Sequence, residues 1–282
     1  VTGTSAAAAS MDMQTLRAIA ARRRGPKTYA HLLDRIGAHL DEYDGFVAWS
    51  GGKDSTVVVD LARQVDPHIP VVFYDSGLQF PETLHYLEDL AAAWGLNFHV
   101  IAAVPDLLTL LIAGGGFDHA APDRTLKGSL ADIMITGPAR QAHQRFGQGS
   151  LWGVRSEEST ARRSLYRSRL AVETAAHAER DREKVRAEYG GLVRRLDGTV
   201  TLGPIWDWQR AQVFEYLAGR DVRLNPLYEK LAALGAPEHR IRVDSILDAS
   251  KLANGHVAWL QKGWPHLFDR LVSALPRLWE WT

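Results

Sequence analysis

Ser50-Gly51-Gly52-Lys53-Asp54-Ser55 lies where an apolar run, Phe46-Val47-Ala48-Trp49, gives way to a helical stretch that begins near Asp54. Two adjacent glycines let the backbone approach a ligand closely and take dihedrals closed to residues with a Cβ. The N–H groups of such a turn can point into one concavity, and the helix that follows adds the positive end of its dipole. Lys53 brings a full charge, and Ser50 and Ser55 bring hydroxyls that can bond phosphate oxygens. A polyphosphate suits this loop better than a carboxylate. The competing reading is a helix start capped by Asp54 or Ser55.

Outward from the loop, the chain alternates strand and helix. Pro70 to Tyr74 is a short continuous apolar run of the buried parallel-strand kind, and Pro81 to Gly95 carries a helical pattern with Pro in its first turn. Asn97 to Ile101 reads as a third strand and Ser150 to Gly153 as a fourth. This rhythm predicts an α/β fold with a doubly wound, mostly parallel sheet, in which ligands bind beyond the carboxyl ends of the strands. Between them, Leu107 to Ile112 predicts a short helix, Gly114 to Lys127 a mobile loop, and Ser129 to Arg145 one continuous helix. On the N-terminal side, Thr15 to Leu40 predicts two helices broken at Gly25-Pro26. Asp197-Gly198 between two apolar stretches predicts a hairpin over 192–202, and Asp207 to Leu217 an amphipathic helix.

Composition narrows the function. Lys plus Arg and Asp plus Glu both number 33 in 282 residues, so no global charge draws the chain to nucleic acid or membrane. No apolar run of about 18 residues predicts a membrane span, and a cytoplasmic protein is expected. There is no cysteine, which excludes disulfides, thiolate metal sites and cysteine nucleophiles. The histidines show no zinc-ligand spacing. Residues 1–12 read as a tag remnant without a fold, 13–222 as the nucleotide-binding α/β domain, and 223–282 as a helical, Trp-rich region whose rings pack on the sheet domain.

The loop Ser50 to Ser55 also resembles the PP-loop of the ATP pyrophosphatases, and the wider sequence resembles the phosphoadenylylsulfate (PAPS) reductase family within them. Asp75-Ser76-Gly77-Leu78-Gln79-Phe80-Pro81-Glu82-Thr83 is similar to that family's Asp-Thr-Gly-x-x-Phe-Pro-Glu-Thr segment. Gly153-Val154-Arg155 through Ser159 and Arg162 is similar to its Gly-hydrophobic-Arg-x-x-x-Ser-x-x-Arg segment, and Asn225-Pro226-Leu227-Tyr228 to its Asn-Pro-Leu-Tyr turn. The resemblance implies an adenine nucleotide alpha-hydrolase-like fold and attack at the α-phosphate of ATP. It further implies that Ser50, Gly51, Gly52, Lys53, Asp54, Ser55, Asp75, Ser76, Gly153, Arg155 and Arg162 surround the nucleotide.

In this reading Lys53 and the serine hydroxyls hold the terminal phosphates, and Asp54 or Asp75 carries Mg²⁺. Asp75 could instead only order its own turn. Arg155 neutralises charge developing near the α-phosphate, or else pairs with Glu158 at the surface. Lys53, Asp54 and Arg155 are the expected catalytic residues. Between Arg155 and Arg195, eleven basic residues face seven acidic ones, which suits an anionic acceptor; a solvated helix with its charges paired along its length fits the same count. The expected function is cleavage of the α–β bond of ATP, as a pyrophosphatase or an adenylyl transfer to an acceptor. Sulfur metabolism or DNA phosphorothioation with a sulfur-transfer or DNA-modification partner protein is the expected setting, with room for a homo-oligomer. The alternatives are a sulfonucleotide-binding protein without thiol chemistry and a non-catalytic adenine-nucleotide sensor.

The resembled reductases use a catalytic cysteine, and this chain has none. PAPS supplied with reduced thioredoxin should therefore yield no sulfite above the uncatalysed background, because no side chain can carry a thiosulfonate intermediate. A colorimetric sulfite assay showing enzyme-like rates would refute this.

Overall fold

The computed structural model describes residues 29–118, 130–237, 240–243, 246, 247, 252 and 255–282. The expected helix before Pro26 and most of the expected loop before Lys127 lie outside the described residues. Helix α1 (Ala30–Glu42) leads into strand β1 (Gly45–Ala48), and the loop at Ser50 into α2 (Lys53–Val65). Next come β2 (Pro70–Asp75), α3 (Pro81–Trp94), β3 (Asn97–Ala102) and α4 (Leu107–Ala113). A π-helical turn (Asp132–Thr136) runs into α5 (Gly137–Phe146), followed by β4 (Gly149–Trp152) and a 3₁₀ turn (Ser156–Glu158). Then α6 (Thr160–Ala176) and α7 (Arg182–Tyr189) precede the hairpin β5 (Leu192–Arg194) and β6 (Val200–Leu202). Helices α8 (Arg210–Gly219), α9 (Leu227–Ala233), α10 (His256–Gly263) and α11 (Pro265–Ala274) and a 3₁₀ turn (Pro276–Trp281) complete the described chain.

The six strands form one sheet in the order β3-β2-β1-β4-β6-β5. All neighbours are parallel except β5 and β6, whose antiparallel turn holds Gly198 at φ 84°. Strand β1 is central, with Val47 in register with Val71 of β2 on one side and Leu151 of β4 on the other. The chain winds outward from β1 through β2 to β3, then crosses to β4 and winds the other way. The strand order therefore reverses between β1 and β4, and the crevice beyond their carboxyl ends is where such sheets bind ligands.

Both faces of the sheet are covered, as the unbroken apolar strands require. One core joins Val47, Trp49 and Leu151 to Ile36 of α1, Val57 and Leu61 of α2, Leu87 of α3 and Leu217 of α8. The opposite face packs Phe46, Ala48, Val72 and Ile101 on Ala142 of α5. A third core joins Leu78, Phe80, Leu107 and Leu111 to Leu231, Leu260, Phe268, Leu271 and Leu278. Glu82 clamps this junction: it accepts Lys230 at 2.7 Å and the Trp264 indole N–H at 2.9 Å, while the Lys230 ammonium sits 4.0 Å over the Trp264 ring. Trp264 is buried against Phe80, whereas Trp279 and Trp281 are exposed.

Two elements differ from the sequence expectation. The stretch expected as one helix from Ser129 is helical from Leu130 but carries a π turn at Asp132–Thr136. Pro138 has no N–H to give to the ladder, and the Gly137 N–H reaches back five residues to the Asp132 carbonyl. Helix α8 starts at Arg210 rather than Asp207, because Gln209 and Gln212 close its first turn and Glu157 accepts the Arg210 N–H.

Within α1, His39 is buried, and neither ring nitrogen meets a hydrogen-bond partner. Burial is the main cause that pulls its pKa down to about 4, with Arg35 adding to the shift and Glu42 opposing it. A depressed histidine pKa means the unfolded chain binds the proton more readily, so stability falls as pH drops from about 6.5 towards 4. The loss is up to about 3 kcal/mol at the acid end. Urea titrations of the wild type and of His39→Phe across pH 4–7.5 should show this slope flattened in the variant; parallel curves would show that His39 is not the titrating group.

Candidate functional site

The loop after β1 turns at Gly51, whose φ of +73° is left-handed and whose missing Cβ leaves room beside Thr83 and Leu87. Helix α2 starts from Gly52, which has no side chain of its own to cap the turn, so its positive end faces the cavity. The serines stiffen the turn. The Ser55 hydroxyl donates to the Gly52 carbonyl at 3.0 Å and lies 3.1 Å from the Ser50 hydroxyl, and the Ser50 N–H donates to Ser55 Oγ at 3.2 Å. From the far side, the Tyr228 hydroxyl accepts the Lys53 N–H at 3.2 Å. Asn225 donates to the Thr83 hydroxyl at 3.0 Å and to the Gly51 carbonyl at 3.4 Å, so the Asn-Pro-Leu-Tyr turn braces the loop.

Asp54 does not cap α2. Its Oδ2 pairs with Lys53 Nζ and its Oδ1 with Arg155 Nε, both at 2.6 Å. Arg155 is only 3 % exposed; its Nη1 also donates to Glu157 at 2.7 Å and to the Trp208 carbonyl at 3.4 Å. The guanidinium that sequence reading aimed at the α-phosphate thus turns inward to Asp54, and the Arg155 backbone N–H, not its side chain, bonds Glu158. The cause is the close approach of β4 to α2. A Cβ on Gly153 would fall 2.3 Å from the N and Cα of Ser55, so glycine alone lets the strand end reach the helix start and carry Arg155 behind Asp54.

A cavity of about 460 Å³ opens at this switch point. Ser50, Gly52, Lys53, Asp54 and Ser55 form its polar end, with Ser76, Gly153 and Arg162 on its wall. Gly51, Asp75 and Arg155 do not line it. The Arg162 guanidinium bonds Glu158. Asp75 orders its own turn, accepting the Gly77 N–H at 2.8 Å, while Ser76 accepts from the Leu78 N–H and the Gln79 amide. The apolar lining includes Leu107, Met134 and Ile135 and the tilted Tyr74 and Trp152 pair, 5.9 Å between centroids. The Tyr74 hydroxyl, the Trp152 indole N–H and Gln79 Oε1 are buried without partners, and burial raises the Tyr74 pKa. A lining that joins a cationic phosphate-type loop to flat apolar rings with spare polar atoms suits a nucleotide.

The residues do not build a protein cage for a metal. Among the described residues no group of three His, Cys, Asp or Glu could hold one, and both oxygens of Asp54 are taken by cations. What fits is a Mg²⁺ ligated by phosphate and water with one carboxylate at most, the usual manner for that ion.

Of the residues singled out by sequence, Ser50, Gly52, Lys53, Asp54, Ser55, Ser76, Gly153 and Arg162 line the cavity. Tyr228 lay in a motif already recognised, but Tyr74, Trp152, Ile241, Arg242 and Val243 carried no signal of their own, since only the fold brings them to this crevice.

An α/β sheet with a Gly-Gly-Lys loop opening a helix at its switch point defines a PP-loop nucleotide-binding protein. The chain belongs to the phosphoadenosine phosphosulfate reductase domain family, whose pattern it matches over residues 45–236, and it is a cysteine-free member. A phosphoadenosine 5'-phosphosulfate reductase of Alteromonas mediterranea is 42% identical over 191 residues, 65% of this chain and 64% of that protein. A sulfate adenylyltransferase subunit 2 of Rhizobium etli is 25% identical over 209 residues, 70% of this chain. The chain covers 61% of that relative's length. The crystal structure of PAPS reductase from Candida auris shares the fold at a TM-score of 0.50 and 14% identity, covering 84% of this chain and 96% of that one. Among the described residues, no helix is long and apolar enough to cross a membrane.

Gly153→Ala tests the packing on which the site rests. The added methyl has no room against the backbone of Ser55, so the variant should lose about 1–3 kcal/mol of stability. Thermal melts paired with ATP titrations should show both stability and nucleotide binding impaired. An unchanged melting temperature would mean that β4 and α2 part at little cost.

Proposed function

We propose that this protein is an ATP-using PP-loop enzyme that cleaves the bond between the α- and β-phosphates, passing the adenylyl group to an anionic acceptor or to water. The observation that carries the reading is Lys53 at the start of α2, in a cavity that also has an apolar and aromatic lining. The β- and γ-phosphates lie against the N–H groups of the loop, with Lys53 and the hydroxyls of Ser50 and Ser55 bonding their oxygens. The base lies against the apolar lining. An acceptor oxygen attacks the α-phosphorus, the bond from that phosphorus to the bridging oxygen breaks, and pyrophosphate leaves with the bonding pair. Chemistry of this kind needs positioning and charge neutralisation rather than a covalent nucleophile, so the absence of cysteine is no handicap.

Mg²⁺ bound with ATP would offset phosphate charge, with Asp75, at the carboxyl end of β2, a candidate single ligand. Arg162, on the cavity wall and half-exposed, is placed to meet an anionic acceptor once it leaves Glu158. The name of the Rhizobium etli relative makes that protein one subunit of an enzyme. A partner that supplies or consumes the adenylylated acceptor, in the cytoplasm and in sulfur chemistry, fits the same reading for this chain. A protein that binds PAPS without reducing it is the second reading, favoured by the family and by the missing thiol.

Incubation with ATP and Mg²⁺, alone and with sulfate or other oxyanion acceptors, should release pyrophosphate. Lys53→Ala should weaken binding of ATP and pyrophosphate by about 1.5–3 kcal/mol, the value of a charge-assisted bond in a partly buried site. AMP affinity should stay within about twofold, a difference under about 0.5 kcal/mol. Calorimetry showing an equal loss for AMP would remove Lys53 from the terminal phosphates. Binding of ATP without turnover under every acceptor would make the chain a nucleotide sensor.

A further inference from the structure

Lys53 and Arg155 share one carboxylate but are held in different ways. Lys53 lines the cavity, and the ion pair with Asp54 is the contact that its ammonium makes. Arg155 lies behind Asp54 and is fixed on three sides, by Asp54, by Glu157 and by the Trp208 carbonyl. Glu157 is itself anchored, since the same oxygen accepts the Arg210 N–H at 2.8 Å. The three side chains are almost dry, at 14 % exposure for Lys53, 11 % for Asp54 and 4 % for Arg155. Of the two cations, Lys53 can leave and Arg155 cannot.

An anion entering the loop competes with Asp54 for Lys53. If Lys53 were the sole counter-ion, its departure would strand a buried carboxylate beside the incoming phosphate, and a stranded buried charge is strongly unfavourable. With Arg155 in place, Asp54 keeps one counter-ion throughout. We propose that Arg155 is a positioning residue that acts through Asp54: it holds the aspartate charge-balanced, so that Lys53 is free to transfer to the terminal phosphates. This rests on the assignment of Lys53 to those phosphates. It differs from direct contact of Arg155 with the anion, the role its sequence setting suggested. Gly153 makes the arrangement available, because only an absent Cβ lets β4 bring Arg155 within reach of Asp54 from behind.

The two roles separate in a double-mutant cycle read by calorimetric titration of inorganic pyrophosphate in metal-free buffer. Arg155→Met should weaken pyrophosphate at least about tenfold, since Lys53 is then tied to an otherwise unpaired Asp54. Adding Asp54→Asn should undo the loss. The double variant should bind within about threefold of Asp54→Asn alone, less than 1 kcal/mol apart. A double variant at least about tenfold weaker than Asp54→Asn means that Arg155 meets the anion itself, and the proposal falls. If Arg155→Met does not fold, the comparison of the double variant with Asp54→Asn still decides, because removing both charges strands neither. Lys53→Ala serves as the control for the underlying assignment. Pyrophosphate binding as tight as wild type in that variant overturns the phosphate reading, and this proposal with it. A loss in Lys53→Ala together with an unrescued double variant overturns only the role given to Arg155.

Discussion

The backbone contact between the end of β4 and the first turn of α2 organises this protein. Parallel pairing of β4 with β1 sets Gly149 to Trp152 alongside Gly45 to Ala48, and the next residue, Gly153, then presses on Ser55. Side chains of any size at 153 would push the strand end away from the helix. The contact has two consequences at once. It closes one wall of the crevice where the strand order reverses, and it delivers Arg155 to the back of Asp54. Fold and electrostatics meet in that one absent methyl group.

The other wall depends on chain that lies far away in sequence. Tyr228 and Asn225 hold the loop at Lys53 and Gly51, and the Thr83 hydroxyl donates to the Val243 carbonyl at 3.1 Å. Glu82 joins Lys230 and Trp264 to the head of α3. These bonds sit over a shared apolar core running from Phe80 and Leu107 to Leu271 and Leu278, so the loop is braced by a packed surface rather than by hydrogen bonds alone.

Charge in this molecule acts locally. A chain with zero formal charge still gathers arginines between Arg155 and Arg195, and several find carboxylates at the surface: Arg180 pairs with Glu188, Arg186 with Asp207 and Arg194 with Glu173. These pairs are exposed and contribute little. The pairs that matter have a buried anion. Asp60, fully buried in α2, takes Arg63 at 2.6 Å, Arg220 at 3.1 Å and the Tyr216 hydroxyl at 2.7 Å, and burial together with Asp60 pushes the Tyr216 pKa up. Asp54 at the other end of the same helix is the second such anion. One ties α2 to α8; the other faces the cavity.

The amino-acid sequence by itself determined the sheet, the loop and the family. Buried parallel strands read as unbroken apolar runs, and a Gly-Gly-Lys turn between strand and helix has few other uses, so Phe46 to Ser55 was legible without coordinates. The hairpin at Asp197-Gly198 and the helix opened by Pro81 were legible for the same local reasons. The π turn before Pro138 and the helix start at Arg210 were not, because a missing N–H and a borrowed Glu157 carboxylate decided them. The direction of the Arg155 guanidinium was the larger miss. Sequence could place an arginine two residues past a strand-ending glycine, but not say which way the guanidinium turns. That direction is set by Asp54, a hundred residues earlier, and by the carbonyl of Trp208. Tyr74 and Trp152 likewise meet only because β1 separates their strands with the small Ala48 between them. Local chemistry writes the strands and turns; which charges and rings face one another depends on strand order, and only the tertiary structure decided that.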